Sequence, residues 1–188
     1  MTHHLLAAAA TAAVLAGAAG ALAALSDAPA TPPERAGAEI IAIPVDDPET
    51  KAISGLLFEP QGAGPFPAVI YLPGCDGATS ASALRLENVL VEDDVGEGEA
   101  VLILDSFTAR GVPNGVCGRP VDMVFLMRRA EDAYDAAKAL AQRPEIDVGR
   151  IVLQGYEQGA IAATLAVRPG VAARHGGGVF SGVVTVGP

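Results

Sequence analysis

The stretch Arg150–Gly159, RIVLQGYEQG, runs on into AIAATLAV, and together they set the fold class. IVLQ is a short, mainly apolar run of strand length, G-x-x-x-G follows it, and the alanine-rich segment after that is built of helix formers. A strand that enters a helix across two glycines turns a sharp corner. Its central residue, Glu157, is then held strained at the top of a sheet, and Gly155 and Gly159 are required because side chains there would collide. The corner presents one side chain to solvent at a helix N-terminus, where backbone N–H groups favour negative charge. This is the build of a nucleophile elbow, with glutamate at the position that ordinarily carries serine.

Outward from the elbow, strand-length apolar runs alternate with helical patterns. AEIIAIPV and AISGLLF read as two early strands joined through DDPETK, where Asp, Pro and Thr favour a tight reversal. AVIYLPG and AVLILDSF are continuous apolar runs, as expected of strands buried on both faces. A helix is predicted from about Ser82 to Val95, and the longest one from near Pro120, since proline suits a first helical turn. In that helix Leu126, Ala130, Ala133, Ala137 and Leu140 recur at three- and four-residue intervals, so they share one face, which should cover the sheet. Met123 and Met127, one turn apart, are expected in the core. VFSGVVTVGP reads as a final buried strand. Strands alternating with helices imply βαβ crossovers and a mostly parallel sheet preceded by an antiparallel pair, an α/β domain.

Composition narrows the function. The chain has 188 residues, 51% of them apolar, which is enough for one compact domain with a core. Its net charge of −10 argues against nucleic-acid binding, which needs a concentrated positive face. The first thirty residues, with an Ala/Leu run from Leu5 to Leu25, form a targeting segment. A secretory signal peptide ending at Ala23 or Ala30 is expected; His3 and His4 in place of Lys or Arg, and a run of membrane-spanning length, leave an uncleaved N-terminal anchor as the alternative. Both export the rest of the chain, periplasmic or secreted in the first case and membrane-attached in the second. Residues 31–37 form a linker and 38–188 the domain. In an oxidising compartment Cys75 and Cys117 are an even pair, best explained by one disulfide, with a free or catalytic thiol as the other reading. Without CxxC or nearby histidines they do not make a zinc site, and no cofactor is expected.

Three stretches in order carry a resemblance to a known family: PAVIYLPGCDG, LILDSFTARGVPNGVC and AEDAYDAAKALAQRPEIDVGRIVLQGYEQGA. They are similar to the dienelactone hydrolase family of the α/β-hydrolase superfamily, whose secreted members have His-Gly-Cys-x-Gly in the oxyanion loop and Asp-Ser-Phe-x-x-Arg-Gly after the next strand. The resemblance covers about Ala38 to Pro188 and implies a three-layer α/β sandwich acting on an ester or lactone. It also implies an oxyanion hole of two backbone N–H groups, one at Gln158 and one near Cys75. Because the third and fourth strands are neighbours in that fold, Cys75 and Cys117 would meet above the sheet. Arg110 is a candidate for a substrate carboxylate, the alternative being a pair with Asp105, which would orient the loop; Tyr156 is a candidate for lining the pocket.

The departures from the family pattern are equally specific. Glu157 replaces the Ser or Cys nucleophile and Pro73 the loop histidine. No Asp or Glu occurs after Glu157, and His175 comes too early to be the family's base. The pattern therefore stops after the sixth strand, before the strands that carry acid and base. Some relatives attack an alkyl carbon with an elbow aspartate, but glutamate is one methylene longer and the histidine would still be needed. Glu157 is therefore expected to be a carboxylate tolerated by the helix dipole. Two functions compete: an exported hydrolase relative that has lost its machinery and keeps a pocket for a small ester, lactone or carboxylate, and an active hydrolase completed by further sequence or a partner chain. A homodimer through the edge of the last strand is a further expectation. Intact-mass measurement of the native protein should give a chain beginning at residue 24 or 31 that gains two hydrogens on reduction; a start at Met1 would favour the anchor.

Overall fold

The computed structural model describes residues 37–187, and in its first α-helix residues 81–84, 86, 87 and 90 by backbone alone. The first thirty residues, read above as a targeting segment, and nearly all of the expected linker lie outside the described residues. The elements are β1 (Ala38–Pro44), β2 (Ala52–Phe58), β3 (Phe66–Leu72), α1 (Ala81–Gly96), β4 (Ala100–Asp105), α2 (Met123–Leu140), β5 (Ile146–Tyr156), α3 (Gln158–Ala166), the single turn α4 (Pro169–Ala172) and β6 (Gly182–Val186). They build one six-stranded sheet in the order β1-β2-β4-β3-β5-β6. β1 and β2 form the expected antiparallel hairpin and β2 meets β4 antiparallel, while β4, β3, β5 and β6 run parallel.

Side-chain alternation explains why the central strands are apolar throughout. Ala100, Leu102 and Leu104 of β4, with Ala68, Ile70 and Leu72 of β3, join the core formed with α2 and α3. Val101, Ile103 and Tyr71 point the other way, into the smaller cluster that includes Val91 of α1. Period-two alternation sorts the side chains, and helices on both faces leave neither set exposed. The stripe Leu126, Ala130, Ala133, Ala137 and Leu140 is buried against the sheet as the spacing predicts. Full burial of each leucine contributes about 1.5–3 kcal/mol.

Three expectations need correcting. α2 begins at Met123, not near Pro120, because Asp122 caps it: the Asp122 carboxylate accepts the N–H groups of Val124 (2.9 Å) and Phe125 (3.3 Å), satisfying first-turn donors that a proline start would leave open. Met123 consequently sits in the first turn, 52% exposed, and only Met127 packs against the core. The last strand is not buried: Val183, Val184 and Val186 are exposed at the edge of the described sheet.

The connections change direction at β3. α1 carries the chain from β3 to β4 on one side, and α2 carries it back past β3 to β5 on the other. Parallel α/β sheets open a crevice at the carboxyl ends of the strands where this reversal occurs. Here those ends are Leu72, which leads into Pro73–Gly74–Cys75, and Tyr156, which leads into Glu157. The closeness of the two depends on glycine. A Cβ on Gly159 would overlap the carbonyl oxygens of Leu72 and Pro73, and one on Gly155 would overlap the backbone of Gly159. Gly159→Ala should therefore cost about 3 kcal/mol in urea unfolding, whereas Gly170→Ala, with open space around the added methyl, should change stability by less than about 1 kcal/mol.

Candidate active site

The corner predicted from G-x-x-x-G is formed. Glu157 has φ 51° and ψ −113°, the only positive φ at a non-glycine among the described residues. Its amide donates to the Val186 carbonyl of β6 (2.9 Å) and its carbonyl accepts the Ala160 N–H (3.0 Å), so the neighbouring strand and the first turn of α3 clamp the strained residue from both sides. A backbone in this region costs about 1–3 kcal/mol and persists only where its surroundings fix it.

The carboxylate is not merely tolerated by the helix dipole. It makes no capping bond within α3; instead Glu157 Oε2 accepts the Cys75 N–H at 2.7 Å. That N–H is one of the two expected to form the oxyanion hole. The carboxylate lies so close to the loop that a Cβ on Gly74 would come within 2.8 Å of Oε2. The carboxylate therefore fills the space beside the N–H expected to serve an oxyanion hole.

The loop that supplies this donor is fastened to the segment after β4. Cys75 and Cys117 form the expected disulfide, with Cα atoms 4.9 Å apart. The Val116 N–H donates to the Cys75 carbonyl (2.7 Å) and the Thr79 hydroxyl to the Pro113 carbonyl (2.9 Å). Gly115, at φ 76°, lies where any Cβ would strike the backbone of Cys75 and Asp76. Asp105 does orient the start of that segment, accepting the Phe107 (2.9 Å) and Thr108 (3.0 Å) N–H groups.

Arg110 pairs elsewhere than with Asp105. Its two terminal nitrogens reach the Asp132 carboxylate at 2.8 Å each, Nε and Nη2 reach Asp47 at 3.3 and 3.2 Å, and Nη1 also donates to the Ser106 carbonyl (2.9 Å). All five guanidinium protons are thereby engaged, which leaves Arg110 no donor for a substrate carboxylate. Burial alone would raise Asp47, but the Glu49 and Thr50 N–H groups and Arg110 hold it below the usual range. For Asp132 burial prevails over Arg110 and its pKa is raised.

A cavity of about 290 Å³ opens beside the elbow, lined by Val112, Val116, Arg119, Phe125, Arg128 and Gln158 among others. Tyr156, expected to line the pocket, does not; it is 37% exposed, with its ring edge close to Gly74. His175 is engaged away from the elbow, its Nε2 2.5 Å from Glu131 Oε2 and its ring stacked on Tyr134 at 3.8 Å. No group of His, Cys, Asp and Glu among the described residues could hold a metal ion.

One residue of the site is not singled out by the sequence motifs. Arg129 is completely buried. Its Nη2 donates to the Pro73 carbonyl in the oxyanion loop, its Nε and Nη1 have no hydrogen-bond acceptor among the described residues, and its guanidinium carbon sits 4.7 Å from the centre of the Phe107 ring. Burial pushes its pKa down to about 10, with the charges of Asp132 and Glu157 opposing the fall, so it remains a cation at neutral pH. The signal for it lies in the helical spacing: position 129 is three residues after Leu126 and four before Ala133, on the stripe that faces the sheet.

No family model and no curated protein matches the chain. Solved structures do. A Klebsiella pneumoniae protein described as a dienelactone hydrolase superimposes with a TM-score of 0.53 at 18% identity, over 69% of this chain and 53% of that one. A hyperthermophilic esterase from the archaeon Pyrobaculum calidifontis gives 0.56 at 21% identity, over 78% and 42%. A thermostable carboxylesterase from a metagenomic library gives 0.57 at 19% identity, over 79% and 45%. The chain has an α/β-hydrolase fold. It spans about half the length of these neighbours or less. Because Arg110 joins two buried carboxylates, Arg110→Ala should cost about 3–5 kcal/mol in chemical denaturation. Arg110→Lys should recover only part of this, since an ammonium cannot make the same fork of bonds.

Proposed function

We propose that this is an exported, dienelactone hydrolase-like protein of ester or lactone hydrolase ancestry that does not turn over esters, because its elbow carboxylate closes its own oxyanion hole. The observation that carries this reading is the 2.7 Å bond from the Cys75 N–H to Glu157 Oε2 at a strained strand-to-helix corner.

An ester carbonyl is activated when its oxygen sits between two N–H groups that strengthen their hold as charge develops. At this elbow one of the two is taken by a full negative charge, which also repels the oxyanion that would replace it. Loss of a single oxyanion donor commonly costs a factor of about 10²–10³ in rate. Glu157 is itself a poor replacement for serine. Attack by its carboxylate on an ester would give a mixed anhydride, and His175 is held by Glu131 rather than poised to activate water for its hydrolysis. The cavity beside Gln158 remains, so a small ester, lactone or carboxylate can still be a ligand without being a substrate. Export is supported by the Cys75–Cys117 disulfide, which persists in oxidising compartments, together with the targeting composition of the first thirty residues.

The experiment is a p-nitrophenyl acetate assay on the native chain and on Glu157→Ser. Neither should exceed the buffer background, since serine without a positioned base lacks most of its acceleration. Turnover by the native chain would overturn the impaired reading in favour of an active hydrolase completed from elsewhere. Turnover by the variant alone would show that a base is in place and that Glu157 by itself blocks it.

A further inference from the structure

We infer that the loop at Gly74–Cys75 and the buried Arg129 form a carboxylate receptor, filled in the native chain by the Glu157 side chain and open to a small free monocarboxylate once that side chain is removed. This rests on the reading of Glu157 as the occupant of the oxyanion hole.

Three independent features make the site selective for a carboxylate. The Cys75 N–H donates to the anion at 2.7 Å, and its direction is fixed because its loop is tied by the disulfide and by the Val116 bond. Shape is the second feature: Gly74 leaves the space in which the carboxylate oxygen rests, and a Cβ there would intrude on it. Charge is the third. Arg129 is a fully buried cation with two nitrogens lacking a hydrogen-bond acceptor among the described residues. Two carboxylates offset it, Asp132 and Glu157, but Asp132 already accepts two 2.8 Å bonds from Arg110. Glu157 is thus one of the two anions that offset Arg129, with Asp132 the stronger. Removing Glu157 takes one of these two charges away from a fully buried cation, which favours entry of a replacement anion. The N-terminus of α3 adds to the same preference.

Covalent structure sets the identity of the replacement. Cutting the glutamate side chain between Cβ and Cγ yields alanine plus the atoms of acetate, and cutting it between Cα and Cβ yields glycine plus those of propionate. Glu157→Ala should therefore select acetate and Glu157→Gly propionate. The glycine variant also serves as a folding control, because it relieves the strain at φ 51° that alanine would retain.

The test is thermal unfolding and isothermal titration of both variants with sodium acetate and sodium propionate, against sodium chloride at equal ionic strength and against neutral acetamide. Acetate at ten times its dissociation constant should raise the Glu157→Ala midpoint by about 3–5 °C over chloride, with acetamide giving no shift. The native chain and Glu157→Gln, whose sites are filled, should show no acetate-specific shift. Adding Arg129→Met to Glu157→Ala should weaken acetate binding. Equal response of native and variant chains, equal response to acetamide, or folded variants that bind neither acid would each overturn the receptor. None of those results would alter the esterase result, whereas hydrolysis by the native chain would remove the reading on which the receptor rests.

Discussion

The closeness of α3 to β3 is the constraint on which the rest of the site depends. With hydrogen as its only side chain, Gly159 lets the first turn of the helix rest against the carbonyl oxygens of Leu72 and Pro73. That contact puts the end of β5 beside the end of β3, and so brings Glu157 within hydrogen-bonding distance of Cys75, 82 positions away in the chain. A helix displaced outward by a single methyl group would leave the elbow geometry possible but the carboxylate out of reach of the loop. The carboxylate bond is therefore a consequence of backbone packing.

Much of this architecture is legible in the sequence, and the reasons are physical. β3 and β4 are buried on both faces, which forces uninterrupted apolar runs, and the elbow needs glycines at fixed spacing, so both leave unmistakable marks. The disulfide fits the strand order once β3 and β4 are neighbours. Less legible is whatever depends on a single side chain's choice of partner. Proline at 120 and aspartate at 122 are both good helix-start residues, and only the bonds from Val124 and Phe125 decide for the aspartate. Sequence offers Arg110 either a substrate or Asp105, but α2 supplies Asp132 and the β1–β2 turn supplies Asp47. Both are distant in sequence and so invisible to local pattern. VFSGVVTVGP has the composition of a buried strand, and composition alone does not tell an edge from a centre.

Arg129 shows how charge is handled across this side of the domain. Arg110 joins the carboxylates of Asp47 and Asp132, and the charges of Asp132 and Glu157 both offset the buried Arg129. Buried charges are tolerable when each has a neighbour of opposite sign, and any one of them removed strands the next. The glutamate at the elbow adds to the charge that offsets Arg129, which a neutral serine would not.

The energetics of position 157 fit that role. A residue held at φ 51° and ψ −113° costs about 1–3 kcal/mol that glycine would avoid. A hydrogen bond to a charged group contributes about 1.5–3 kcal/mol, enough to offset the strain. With the elbow functioning only as a corner, glycine would be the less strained residue there. Glutamate meets the same backbone demand and, through one bond to Cys75, stabilises the Pro73–Cys75 loop.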